Sequence, residues 1–160
     1  MTAQEFLAIL RHSPLVASVQ GSPGSPVEDP QTLERMALAS LGQGSAVLRL
    51  QGVENIRTIR SSTGAPCIGL IKVDTEGSEV YITPSLREIQ ALLELGCEVI
   101  ALDGTARPRP GGESLGDLIR AIHDGGALAM ADCDSIESIR YALASGADFL
   151  GTTMAGYTSA

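Results

Sequence analysis

Short apolar runs alternate with amphipathic stretches along the whole chain, and this alternation narrows the possible folds more than any other feature. A run of four or five residues rich in Val, Ile, Leu and Ala, bounded by turn residues, reads as a strand buried on both faces of a parallel sheet. The stretches between such runs carry apolar residues at a helical period and read as the crossover helices of βα units. Six runs qualify: Leu15–Val19, Ala46–Leu50, Cys67–Ile71, Val99–Leu102, Ala127–Ala131 and Phe149–Thr152. Helices are expected between them over Pro30–Leu41, Val53–Ser62, Ser85–Leu95, Leu115–His123 and Ile136–Ser145, with a further one over Ala3–Leu10 before the first strand.

The punctuation agrees with these boundaries. Asp29-Pro30, Pro84-Ser85 and Asp134-Ser135 supply caps or first-turn residues, and Gly42, Gly96 and Gly146 are expected to close helices. The segments 41–44, 95–98 and 145–148 echo one another between a helix and the next strand, which points to a repeated module. An open doubly wound sheet and a (β/α) barrel both fit this pattern. The spacing favours the barrel, because strand centres recur roughly every 20–30 residues, near the unit length of an eight-unit barrel of about 250 residues. The interior must also be aliphatic, since aromatics make up only 3% of the chain and Trp is absent. Residues 1–160 are therefore expected to form a single α/β barrel domain with only six of the eight βα units.

Charge excludes several classes of partner. With 11 Lys+Arg against 19 Asp+Glu and no cluster of basic residues, the chain lacks the surface that a nucleic-acid backbone requires. Apolar stretches such as Val99–Leu102 fall far short of the roughly 20 residues of a membrane span, and the N-terminus has no basic segment ahead of its apolar part. A soluble, cytoplasmic protein with no nucleic-acid or membrane partner is expected. Cys67, Cys97 and Cys133 lie too far apart for a metal-binding CxxC pair, and read as reduced thiols packed as small apolar groups.

Polar residues mark the carboxyl ends of the expected strands, the edge on which parallel α/β folds place their ligand site. In chain order they are Gln20, Arg49, Lys72, Asp103, Asp132, and then Thr152 with Thr153. One such residue is ordinarily a structural hydrogen-bonding group; six successive strands ending this way point to a site. Lys72 is the sole lysine beside ten arginines. An amine can give up its proton and act as a base or Schiff-base nucleophile where a guanidinium stays charged, whereas the bland alternative is an ion pair with Asp74. Arg49, inside an apolar run, calls for an anion: either an interior carboxylate, Asp103 or Asp132, or substrate oxygens. The two aspartates are compatible with acid/base work, with accepting sugar hydroxyls and with orienting Lys72. His12 and His123 read as solvated or helix-end residues, and Arg107–Pro110 as a solvated loop.

Together these residues resemble a known family. Val19-Gln20, Arg49, 69–72 (GLIK), 78–84 (SEVYITP), 100–110 (IALDGTARPRP), 130–134 (MADCD) and 151–158 (GTTMAGYT) are similar to N-acetylmannosamine-6-phosphate 2-epimerases of bacterial sialic-acid catabolism. The resemblance implies a (β/α)8 barrel that interconverts N-acetylmannosamine 6-phosphate and N-acetylglucosamine 6-phosphate without metal or other cofactor, and a homodimer. It makes Lys72 the base, has Arg49 and Gln20 bind the sugar and its developing charge, and gives Asp132 sugar hydroxyls or the orientation of the amine. Asp103, Thr152, Thr153 and Tyr157 join the substrate-binding set. The family's second catalytic group, a glutamate after strand seven, and its phosphate loops after strands seven and eight have no counterpart in six units. The expectation is therefore a barrel segment inactive alone. Two other readings stay open: an assembly-dependent partial barrel without catalysis, and a related phosphosugar isomerase or decarboxylase.

Overall fold

The computed structural model describes residues 1–158. Helix α1 (Ala3–His12) leads into β1 (Val16–Val19), followed by α2 (Pro30–Gly42), β2 (Val47–Gln51), α3 (Val53–Thr63), β3 (Cys67–Leu70) and α4 (Leu86–Glu94). The chain continues through β4 (Val99–Asp103), α5 (Leu115–Asp124), β5 (Leu128–Asp132), α6 (Ile136–Ala144) and β6 (Phe149–Gly151). All neighbouring strands are parallel and lie in the order β1-β2-β3-β4-β5-β6. A doubly wound sheet must reverse its order at a switch point. A strictly sequential order has none, so the helices pile onto one face and the sheet curls as six units of a (β/α) barrel, with β1 and β6 as its outer strands.

Strand periodicity then sorts the side chains. Leu48, Leu50, Cys67, Ile100, Leu102, Ala129 and Ala131 point outward and pack with Leu33, Ile56, Ile59, Leu92, Leu118 and Ile122 of the helices. The alternate positions, Val47, Ile68, Leu70, Val99, Ala101 and Leu128, face the concave side and pack with Phe6 of α1 and Ile82. The Phe6 and Phe149 rings stand 5.3 Å apart between centroids, tying α1 to the last strand. Outward packing is tight at Gly69, where a Cβ would sit 2.5 Å from Cys97 Sγ. Strand and helix boundaries agree with the sequence expectation to within two residues. The helix stop after α2 does not: Gly42 lies inside the helix and Gly44, at φ +98°, makes the left-handed turn.

The three cysteines are free and buried, as expected, yet they are not merely apolar fillers. Arg60 of α3 forks onto Glu98 at 2.7 and 3.1 Å and reaches Cys67 Sγ at 3.1 Å. A hydrogen bond from the Cys97 thiol, aided by Arg60, holds the Cys67 thiol below its ordinary range, and the same hydrogen bond together with burial pushes Cys97 upward. Burial works against the Glu98 charge, but the Arg60 guanidinium and the Cys67 amide, donating at 2.9 Å, keep its carboxyl low. A depressed carboxyl stabilises the fold fully above its unfolded pKa, about 4.3, and the contribution disappears as pH falls through the lower folded value. Glu98→Gln should therefore flatten the acid side of the stability profile below about pH 4.3. Urea midpoints taken between pH 3 and 7 would show it; unchanged acid dependence would dismiss the pair as a contributor.

Candidate active site

Inward-facing positions at the carboxyl ends of the strands converge on one cavity. Ser18 and Gln20 come from β1, Arg49 from β2, Lys72 from the end of β3, and Thr153, Met154 and Tyr157 from the segment after β6; with Tyr81 and Ile82 they line about 370 Å³. Gln20 Nε2 donates to Ser18 Oγ at 2.8 Å. The two polar groups on β1 thus hold each other two residues apart on one face.

Arg49 crosses the concave face from β2 to β5. Its Nη1 and Nη2 donate to Asp132 Oδ1 and Oδ2 at 3.1 and 2.6 Å, and Thr153 Oγ1 donates to Asp132 Oδ1 at 2.7 Å. Asp132 is fully buried while the Arg49 side chain keeps 11% of its exposure, so the aspartate stands behind the guanidinium and the guanidinium faces the cavity. Of the anions considered for Arg49, Asp132 is the one it meets. A buried charge with both oxygens committed cannot wander.

Asp103 pairs with Asp132 across β4 and β5 but does not line the cavity. Its Oδ1 accepts from the Thr105 amide and hydroxyl at 2.8 and 2.6 Å, folding the loop that follows β4. Arg107–Pro110 departs from the solvated loop expected of it. Arg109 is buried with its guanidinium on the Asp103 and Thr105 carbonyls, and Arg107 Nη2 reaches Asp134 at 3.0 Å. Burial lowers the Arg109 pKa from its ordinary value. Thr152 and Thr153 part company after Gly151: Thr153 faces the cavity, whereas Thr152 lines a smaller hollow with Ile136 and Ile139 beside α6. His123 meets Asp148 at 2.8 Å near the end of α5.

The surroundings of Lys72 come from a feature that strand and helix periods do not signal. After β3 the chain turns through Thr75–Ser78 and returns as an arm that pairs antiparallel with it, Lys72 opposite Ile82 and the Val73 amide donating to Tyr81 O at 2.9 Å. This hairpin delivers Tyr81 and Ile82 to the cavity. Gly77, at φ +79°, was the available turn signal within that segment. Lys72 is exposed, and among the described residues it has no ion-pair partner within 4.0 Å, Asp74 included. No His, Cys, Asp and Glu group among the described residues is placed to hold a metal ion, and no described helix is long and apolar enough to cross a membrane.

The chain is similar to known proteins over most of its length. Residues 33–160 match the family described as "Putative N-acetylmannosamine-6-phosphate epimerase". Proteins from Edwardsiella ictaluri and Klebsiella pneumoniae named "Putative N-acetylmannosamine-6-phosphate 2-epimerase" are 45% and 42% identical over 94% and 99% of this chain. A solved structure of the N-acetylmannosamine-6-phosphate 2-epimerase from Clostridium perfringens superposes with a TM-score of 0.88 at 42% identity over 90% of this chain. The chain spans 63% of the Edwardsiella protein, 67% of the Klebsiella protein and 63% of the Clostridium structure.

Proposed function

Because the chain belongs to the N-acetylmannosamine-6-phosphate epimerase family, we propose that its cavity removes and returns the proton on C2 of an N-acetylated hexosamine 6-phosphate. The observation that carries this reading is the juxtaposition, in one cavity, of an amine with no ion-pair partner among the described residues, Lys72, and a rigidly held guanidinium, Arg49. The C2 proton lies next to a carbonyl-level carbon and is poorly acidic. Lys72, as the free amine, takes it; the negative charge that grows on the neighbouring oxygen is met by fixed donors, Arg49 and the Gln20 amide. Return of a proton by the Lys72 ammonium regenerates the starting sugar, and delivery of one to the opposite face, which requires a second acid beyond the groups assigned in this cavity, gives the other epimer. Asp132 is a positioning residue in this scheme, keeping Arg49 aimed, and Thr153 completes the set by donating a second hydrogen bond to Oδ1. Tyr157 and Ser18 line the same cavity and add polar groups available to sugar hydroxyls. The working partner is a small phosphosugar in the cytoplasm, and the family resemblance makes a homodimer the expected assembly.

Exchange of the C2 proton needs only the Lys72 face, whereas net epimerisation needs a donor on the other, so exchange is the more direct test. With N-acetylmannosamine 6-phosphate in D2O, NMR should show deuterium entering C2, and glucose 6-phosphate should give no ketose. Ketose formation without exchange of the acetamido sugar would favour an aldose isomerase instead. Thr153→Val should raise KM or lower kcat by about 10-fold, the effect expected when an outer partner of a binding group is lost. Thr153→Ser should restore both, and steady-state kinetics on the pair would check it.

A further inference from the structure

We infer that Thr83 is the positioning residue of Lys72, an assignment that rests on the role of Lys72 proposed above. Strands β3 and β4 pair only at Ile68 with Val99 and Gly69 with Ile100, whereas β4 and β5 pair at five positions, as far as Asp103 with Asp132. Beyond Gly69 the returning arm of the hairpin stands between β3 and β4. The Asp103 amide donates to Ile82 O at 3.0 Å, and Thr83 Oγ1 donates to Ala101 O at 2.6 Å.

On its other side Thr83 grips the residue before Lys72. Its amide donates to Ile71 O at 2.7 Å and its Oγ1 accepts from the Ile71 amide at 3.3 Å. Both backbone polar groups of Ile71 are thereby tied, through one residue, to the rigid β4. This matters because Lys72 has no ion-pair partner among the described residues, so the aim of its four-carbon stem is set by the backbone at 71 and 72.

Thr83 is also the one non-glycine among the described residues at positive φ, +45°, and it is buried. A β-branched residue in the left-handed region is strained and persists only where the surroundings over-determine it. Glycine would adopt this backbone freely but could not supply the hydroxyl that spans Ile71 and Ala101. The strain is the accompaniment of that one oxygen.

The test compares Thr83→Val, Thr83→Ser and Thr83→Gly by C2 exchange kinetics and thermal unfolding. Thr83→Val should lower kcat by up to ~10²-fold, the scale of a misplacement near 1 Å, while KM moves less than about 2-fold. Thr83→Ser should restore kcat, and Thr83→Gly, although relieved of strain, should stay as slow as Thr83→Val. A second readout needs no turnover: Lys72 is the sole lysine, so lysine-selective isotope labelling gives one side-chain amine signal. Thr83→Val should shift or broaden it and Thr83→Ser leave it in place. Should Thr83→Val not fold, Thr83→Ala takes its place. Wild-type kcat with an unmoved lysine signal overturns the inference, as does a kcat loss that Thr83→Ser does not restore. If Lys72→Arg still exchanges the proton, the proposed base fails instead, and the lysine signal alone decides the positioning role.

Discussion

Asp132→Ala should lower unfolding stability by about 3–5 kcal/mol, the cost of removing one partner of a buried ion pair. Asp132 is fully buried and the Arg49 side chain is 11% exposed. Truncation leaves a guanidinium inside the curl of the sheet without its counter-ion and strips Thr153 of its acceptor. The same deletion on the surface, at the Arg120–Asp117 pair with 68% and 50% exposure, should cost under ~1 kcal/mol. Arg49→Met combined with Asp132→Leu should regain most of the loss, since an apolar pair of similar volume removes the desolvation penalty together with the attraction. That double variant should nonetheless bind no phosphosugar, separating the part of the pair that holds β2 against β5 from the part that faces the cavity. Urea unfolding of the four proteins makes the comparison. A cost below ~1 kcal/mol for Asp132→Ala would show that the pair does not tie the strands together.

Much of this site was legible because parallel strands at barrel spacing leave few places for a polar residue to go. Gln20, Lys72 and Asp132 each end an apolar run and Arg49 interrupts one, and period two puts Ser18 on the same face as Gln20. Which carboxylate Arg49 would meet was open, because the choice depends on how far the sheet curls between β2 and β5 and on Asp103 already being committed to Thr105. Thr152 and Thr153 are neighbours in sequence, yet successive side chains leave a strand on opposite sides, so only one reaches the cavity. The hairpin after β3 was less visible. Its arms are too short for a periodic signal, and its registry comes from Thr83 bonding to a strand 18 residues away in sequence. Arg107 and Arg109 misled for a related reason: four alternating Arg and Pro residues have the composition of a solvated loop, and only the carbonyls at the end of β4 and the Asp134 carboxylate after β5 hold them in place.

The proposed chemistry turns on Lys72 as the group that carries the proton. Lys72 is exposed, lines the cavity, faces Ile82 across the hairpin, and has no carboxylate partner within 4.0 Å among the described residues. Lys72→Arg keeps charge and length but replaces a group that can release its proton with one that stays protonated. Loss of a general base slows a reaction by about 10²–10⁴-fold, whereas a residue that merely attracts the phosphosugar would be served equally well by arginine. The most direct measurement is therefore solvent deuterium entering C2 of N-acetylmannosamine 6-phosphate, followed by NMR for the wild-type protein and Lys72→Arg side by side with binding of the same sugar. Exchange should fall by at least ~10²-fold in Lys72→Arg while binding stays within about 3-fold of wild type. Exchange at the wild-type rate in Lys72→Arg would contradict the role of Lys72 as the base.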